Sequence, residues 1–276
     1  MTEGNMRSIV FIGGGNMASC IVGGMIYEGF KKQEILVSVP SDESKARLTE
    51  AYGVSVVSDN LAAVAEADVV ILAVKPQIMR NVVLDLAAAL PKDAVVVSVA
   101  AGISINSIQS WLGEDRAIVR AMPNTPSLVR TGATGLFAND HTDKQQRRVV
   151  AEIFEAVGVC CWVKSEELIN AVIAVSGSGP AYFFQILHIM QSVGQELGLS
   201  EDDARQLASQ TALGAAKMAI ASEKKPAELR RQVTSPGGTT ERALNTFQQE
   251  GLESTFRRAM NNALARAEEM SKDFSE

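Results

Sequence analysis

Thr234-Ser-Pro-Gly-Gly-Thr-Thr240 puts two glycines and several hydroxyls into one turn inside an otherwise helical C-terminal third. Gly237 and Gly238 have no Cβ, so backbone N–H groups there can come close to a ligand. Thr239 and Thr240 add hydroxyls that both donate and accept hydrogen bonds. Pro236 fixes its own φ and suits a first helical turn. Free N–H groups at the head of a helix attract a carboxylate or a phosphate; the plainer alternative is a helix start capped by Ser235. A second cluster, Gly13-Gly-Gly-Asn-Met-Ala18, follows the apolar run Ile9-Val-Phe-Ile12. Read as G-x-G-x-x-A, Gly13 makes a tight turn and Gly15 lets the backbone approach a pyrophosphate. Ala18 is small enough for close helix–sheet packing. The first cluster suits a small anion, the second a dinucleotide.

Histidine and cysteine limit the remaining chemistry. His141 and His188 are far apart and lack a partner motif, which disfavours a Ser-His-Asp triad or a histidine-based metal site. His188 reads as a packed residue in a long apolar helix. Cys20, Cys160 and Cys161 contain no Cys-x-x-Cys pair, and adjacent cysteines seldom bridge, so no disulfide framework and no metal are expected. Cys20 reads as a small packed residue. A net charge of −6 with no Lys/Arg-rich run argues against a nucleic-acid partner. With 46% hydrophobic and 21% charged residues, the 276-residue chain has the balance of a soluble globular protein and room for two domains. Apolar stretches such as Ala67–Val74 are too short to span a bilayer, and no export signal is read near the N-terminus. The expectation is a cytoplasmic protein without a membrane partner.

These residues need elements to position them. Short apolar runs alternating with helical patterns predict strands at Arg7–Ile12, Ile35–Val39, Val69–Val74, Ala94–Val99, Ala117–Ala121 and Val159–Val163. Helices are predicted after the first strand to about Phe30, over Asp42–Ala51 and over Lys144–Ala156. Near-continuous apolar strands with helices between them imply a Rossmann-type doubly wound parallel sheet, the α/β class. After Val163 strand signals stop. Glu166–Leu197, Glu201–Ser222, Lys224–Gln232 and the segment following the turn all read as helix. The reading is a dinucleotide-binding domain over residues 1–163 and an all-helical domain over residues 164–276. Gly194, Gly198, Gly214, Ala215, Ala216 and Ala219 permit close helix packing, which suits a dimer interface, with a self-contained bundle as the alternative.

In such a sheet, loops at the carboxyl ends of the strands line one crevice. They are Ala73-Val-Lys-Pro76, Ala100-Ala-Gly102 and Arg120-Ala-Met-Pro-Asn-Thr-Pro126. Lys75, held extended by Pro76, is placed to face a nicotinamide ribose. The second strand ends Val37-Ser-Val-Pro-Ser41, without the carboxylate that takes the ribose 2′-hydroxyl of NAD. Hydroxyls of Ser38 and Ser41, with N–H groups of the next helix, are expected to hold a 2′-phosphate. NADPH is therefore preferred, with NADH the alternative. Asn60 reads equally as a helix cap and as a ribose contact.

Ala73-Val-Lys-Pro-Gln77, Arg120-Ala-Met-Pro-Asn-Thr-Pro126, Ser176-Gly-Ser-Gly-Pro-Ala-Tyr182 and the Thr234–Thr240 turn together closely resemble the pyrroline-5-carboxylate reductases, over nearly the whole chain and in the same order. The resemblance implies NAD(P)H-dependent reduction of 1-pyrroline-5-carboxylate to L-proline, the last step of proline biosynthesis. It implies cofactor contacts at Ile12, Gly13, Gly14, Gly15, Asn16 and Met17, at Ser38 and Asn60, at Ala73, Val74, Lys75 and Pro76, and at Ala101. It implies a small-molecule substrate whose carboxylate is held by Gly238, Thr239 and Thr240, with Ser235 in the same turn. Thr240 is the candidate for hydrogen bonding to the ring nitrogen, as proton donor or positioner. Glu166 and Gln232 match positions near the substrate in relatives; Gln232 stands where other members often have Asp or Asn. The resemblance also implies a homodimer with interlocked helical domains, the turn of one subunit serving the nicotinamide of the other, and rings of dimers.

A protonated cyclic imine accepts hydride without a metal or strong acid. Placing the reacting carbon roughly 3–3.5 Å from the hydride is then the chief requirement. Ser176-Gly-Ser-Gly-Pro180 reads as the opening of a long helix that either walls the pocket or is only a helix start. A β-hydroxyacid dehydrogenase of similar architecture would use a lysine on a long C-terminal-domain helix, and Glu166–Leu197 contains none. A nucleotide-sensing regulatory protein would bind NADPH without turnover, which the intact Gly-Gly-Thr-Thr sequence argues against.

Overall fold

Uninterrupted Val/Ile runs are stable as strands only when both faces are covered. The computed structural model, which describes residues 7–113 and 115–274, places them so. In chain order the elements are β1 (Ile9–Ile12), α1 (Asn16–Tyr27), β2 (Ile35–Ser38), α2 (Asp42–Tyr52), β3 (Ser55–Val57), α3 (Asn60–Val64), β4 (Val69–Leu72), α4 (Pro76–Leu86), β5 (Val95–Ser98), α5 (Ile105–Leu112), β6 (Ile118–Met122), β7 (Gly132–Ala138), α6 (Lys144–Glu155) and β8 (Gly158–Trp162). The strands form one sheet of order β3-β2-β1-β4-β5-β6-β7-β8. Every pairing is parallel except β6 with β7, which is antiparallel. The doubly wound reading therefore holds, with one reversed strand that the sequence did not signal.

Ile9, Phe11, Val69 and Ile71 pack with Ile21 and Met25 of α1 and with Ile153 and Phe154 of α6. Their neighbours Val10, Ile12, Val70 and Leu72 pack on the other face with Met79, Val83 and Leu86 of α4 and Ile108 of α5. Burying each such side chain is worth about 1.5–3 kcal/mol over leaving it exposed, which rewards apolar residues at both strand parities. Helix starts are fixed by local caps: Ser41 for α2, Asp59 for α3, Ser104 for α5 and an Asp143–Gln146 capping box for α6. Asn60 is thus the first residue of α3, and the cap is Asp59.

The long helical pattern after Glu166 resolves into α7 (Leu168–Val172), a π-helical turn (Ile173–Gly177) and α8 (Gly179–Glu196). Ser176-Gly-Ser-Gly-Pro180 straddles the start of the long helix: Ser176 and Gly177 end the π-helical turn, and Gly179 and Pro180 open α8. Pro180 has no N–H to offer the Ser176 carbonyl four residues earlier, and Asn124 Nδ2 donates to that carbonyl instead at 2.9 Å. The wider turn takes up the mismatch. This stretch packs on the sheet: Val172 lies directly against Gly135 of β7, where a Cβ would have no room.

The chain packs as two units, one reaching to Ser178 and including the segment from Ala263, the other Gly179–Asn262. The packing boundary is later than the change of rhythm at Val163 because α7 belongs to the sheet side. The second unit contains α8, α9 (Glu201–Ala221), α10 (Pro226–Gln232), α11 (Thr239–Gln249) and most of α12 (Leu252–Asp273). Gly194 of α8 comes close to Ala204 of α9, as small residues allow. Large apolar side chains, among them Phe183, Phe184, Ile189, Ile220 and Phe247, stay exposed. His188 is exposed too, not packed as expected, because nothing within the unit covers that side of α8. One helical run, Leu168–Glu196, is long and apolar enough to cross a membrane by length and composition, a stretch the sequence reading had not counted.

Candidate active site

The carboxyl ends of β2, β1, β4 and β5 are neighbours, and the predicted dinucleotide residues gather there. Gly13 donates its N–H to Ser38 O at 2.9 Å, and Ala73 donates its own to Ile12 O at 2.9 Å. Gly13 has φ +102°, and a Cβ on it would stand 2.6 Å from the Ala73 carbonyl oxygen. Only glycine fits there. Gly15 is the N-cap of α1, without a side-chain cap and without an acidic residue in the first turn, and the space beside it is clear. The N–H groups of Asn16 and Met17 therefore open a positive helix end to an anion, which fits a pyrophosphate. Lys75 is extended (φ −63°, ψ 145°) and exposed before Pro76, the first residue of α4. Val74 and Ala101 are half-buried at the same edge.

The adenosine side differs from expectation. Ser38 is buried, and its hydroxyl donates to Asn60 Oδ1 at 2.6 Å. Ser41 Oγ accepts the Ser44 N–H and donates to Ser44 Oγ at 2.9 Å, so it is occupied in capping α2. The Ser38 hydroxyl is therefore spent inside the fold, whereas that of Ser41 is exposed beside Ser44. The tip of β2 still lacks a carboxylate. Asp42 follows it, hydrogen-bonded to Lys45, which holds its carboxyl below the usual range. Sequence reasoning missed Arg47, which donates to Gly14 O at 2.7 Å and to Ser19 Oγ at 3.2 Å. It brings a cation to the glycine turn. In the sequence it is one more basic residue on a polar helix.

In the second unit, the Ser235 carbonyl accepts the Gly238 N–H at 3.0 Å, with Gly237 at φ +72°. Pro at the second position and a positive-φ Gly at the third make this a type II turn. Pro236 therefore sits in the turn before the helix. Gly238, not Ser235, is the N-cap of α11, with no side-chain cap. The Gly238 N–H closes the turn and is unavailable to a ligand, which corrects its expected role. Gly237 N–H is also engaged, donating to Glu241 Oε2 at 2.8 Å. The N–H groups of Thr239 and Thr240 have no acceptor among the described residues, as the first positions of a helix require. Gln232, the last residue of α10, is exposed.

Glu166 is not an open carboxylate. Its Oε1 accepts from Arg120 Nη1 and from the Ile105 N–H, both at 2.8 Å. Burial pushes the Cys20 thiol up, and burial with Glu155 nearby pushes that of Cys160 up to about 12. Neither thiol is a nucleophile near neutral pH.

Comparison with known proteins agrees with this geometry. Residues 166–270 match the family model for pyrroline-5-carboxylate reductase dimerisation, and residues 8–102 that for NADP oxidoreductase coenzyme F420-dependent. The pyrroline-5-carboxylate reductase of Pseudomonas aeruginosa is 47% identical over 268 residues, covering 97% of this chain and 98% of that protein. The solved structure of a pyrroline-5-carboxylate reductase from Coxiella burnetii superposes with a TM-score of 0.94 at 45% identity, over 97% of this chain and 99% of that one. That of the Plasmodium falciparum pyrroline carboxylate reductase with NADP bound gives 0.85 at 26% identity, over 96% and 98%. On identity sustained over almost the full length of both chains, this chain belongs to the pyrroline-5-carboxylate reductase family.

Proposed function

We propose that this protein reduces 1-pyrroline-5-carboxylate to L-proline with NADPH, the last step of proline biosynthesis. The observation that carries the reading is the head of α11, where Thr239 and Thr240 offer unpaired N–H groups behind a type II turn in a chain of this family. Bound NADPH supplies the hydride. The backbone of Gly15, Asn16 and Met17 holds its pyrophosphate, while Gly13, Gly14 and the segment Ala73–Pro76 with Ala101 shape the adjoining wall. The missing carboxylate at the β2 tip and the Arg47 cation favour a 2′-phosphate over a bare hydroxyl.

Thr239 and Thr240 N–H groups hold the substrate carboxylate, and the Thr240 hydroxyl bonds to the ring nitrogen, keeping the C=N bond oriented for attack at carbon. Binding and orientation supply most of what such a reaction needs. The exposed apolar faces of the second unit support a homodimer interlocked through these helices, with rings of dimers above it. They also support reading Leu168–Glu196 as partner-facing rather than membrane-spanning, since its first part is already packed at Ile169 and Ala174. A turn contributed by the partner then completes each site. The protein works in the cytoplasm without a nucleic-acid partner.

NADPH oxidation followed with pyrroline-5-carboxylate and, separately, with methylmalonate semialdehyde, the oxidised partner of the β-hydroxyacid 3-hydroxyisobutyrate, tests the reaction. Turnover with the imine alone is expected. Turnover with the semialdehyde alone identifies a β-hydroxyacid dehydrogenase, and NADPH binding without turnover a sensor. A higher kcat/KM for NADPH than for NADH is expected, and a clear NADH advantage overturns the cofactor preference.

A further inference from the structure

Arg120 has no part in the chemistry above, yet its side chain is only 5% exposed within β6. A buried cation needs a partner. Its Nη1 donates to Glu166 Oε1 at 2.8 Å, and the same oxygen accepts the Ile105 N–H at 2.8 Å. Ile105 is the first residue of α5 and closes the loop after β5 that carries Ala101. The other end of that loop is pinned where Ser98 Oγ accepts the Ala100 N–H at 3.3 Å, and Ser98 lies opposite Arg120 in the β5–β6 register. Between these points Gly102 runs under Met270 and Phe274 of the C-terminal segment, which leave no room for a Cβ. Glu166 is the movable member, since its side chain is 21% exposed and can turn toward water.

We infer that Arg120 is a positioning residue: by fixing Glu166 on the Ile105 N–H, it holds the Ala101 loop in place at the dinucleotide crevice. The inference rests on the proposed use of NADPH and gives Glu166 a task apart from the substrate contact that the family resemblance implies. Removing the guanidinium frees the carboxylate, and the first residue of α5 loses its polar tie to β6 while the apolar face of the helix stays packed on the sheet. The loop then shifts while the rest of the crevice stays.

Titration of NADPH fluorescence on the purified protein reads cofactor Kd without turnover. Arg120→Met is expected to raise Kd about tenfold, equivalent to about 1.4 kcal/mol. The KM for the imine should stay within about twofold, and Arg120→Lys, which keeps a donor for Glu166, should recover most of the loss. Ile105→Pro deletes the N–H in question, along with part of a buried side chain, and leaves the helix start intact, because Pro suits a first helical position and Ser104 already has the extended backbone that must precede it (φ −80°, ψ 159°). Ile105→Ala controls for lost volume. Ile105→Pro should raise Kd several-fold above Ile105→Ala, and Arg120→Met should add nothing on the Ile105→Pro background. The proposal fails if Arg120→Met lowers Tm and leaves Kd unchanged. It fails equally if the Pro and Ala variants match, a comparison that decides even where Arg120→Met does not fold. Wild-type NADPH binding without imine turnover would count against the proposed reaction and leave this comparison intact; no wild-type binding overturns both.

Discussion

Thr240 carries two groups that the proposed chemistry uses separately, a backbone N–H for the carboxylate and a hydroxyl for the ring nitrogen. Thr240→Ala removes only the second. The expected result is a fall in kcat of about 10²-fold, the lower range for losing a positioned proton donor, with NADPH Kd unchanged. Thr240→Ser should restore most of the rate; wild-type kinetics in the alanine variant would remove the hydroxyl from the mechanism. Gly238 shows how the same scale limits sequence reading. Its absent Cβ was legible, but its N–H is spent closing the type II turn. Ser38 repeats the lesson, since a hydroxyl at the right place in the chain is useful to a ligand only if no nearer partner takes it.

At the scale of elements, the π-helical turn between α7 and α8 depends on one side chain from a different part of the fold. Asn124 is buried; its Oδ1 accepts the Ala133 N–H at 2.9 Å, and its Nδ2 donates to Ser176 O at 2.9 Å. Asn124→Ala leaves both groups unpaired, at about 1–3 kcal/mol each. Urea unfolding should show a loss of about 2 kcal/mol or more. Pro180→Ala gives Ser176 O an N–H donor again, so adding it to Asn124→Ala should recover about 1 kcal/mol. Further destabilisation by the second substitution would mean that the Ser176 carbonyl is not the group left wanting. The helical period over Glu166–Leu197 was legible, whereas the turn inside it was not, because its anchor lies in the loop after β6. β7 escaped notice for a related reason. Gly132-Ala-Thr-Gly-Leu-Phe-Ala138 has weak strand propensity and is a strand because β6 and β8 flank it.

For the whole molecule, the proposal that each site is shared between subunits has a direct test. Gly13→Ala strains the cofactor turn, through its φ of +102° and the Ala73 carbonyl 2.6 Å from the new Cβ. Thr240→Ala disables the other half. Each variant alone should be nearly inactive. Unfolded together and refolded, they form hybrid dimers with one site intact in both halves, so the mixture should regain about a quarter of wild-type activity. No recovery, with hybrids shown to be present, means that each chain supplies its own turn. The same scale explains the exposed Phe183, Phe184 and Phe247, which a unit burying mostly alanine cannot cover alone.

What the sequence by itself determined is local in origin. Both-face apolar runs made a covered parallel sheet, G-x-G-x-x-A made the β1–α1 turn, Ser-Pro-Gly-Gly made a tight turn before a helix, and four motifs in order identified the family. What only the tertiary structure decided are pairings between distant residues. Ser38 with Asn60, Arg47 with Gly14, Asn124 with Ser176, and Glu166 with both Arg120 and Ile105 join chain segments 22 to 61 positions apart. The physical reason is that sequence spacing fixes periodicity and turn chemistry. Whether a polar atom is free for a ligand depends on which neighbour the packed fold brings to it first.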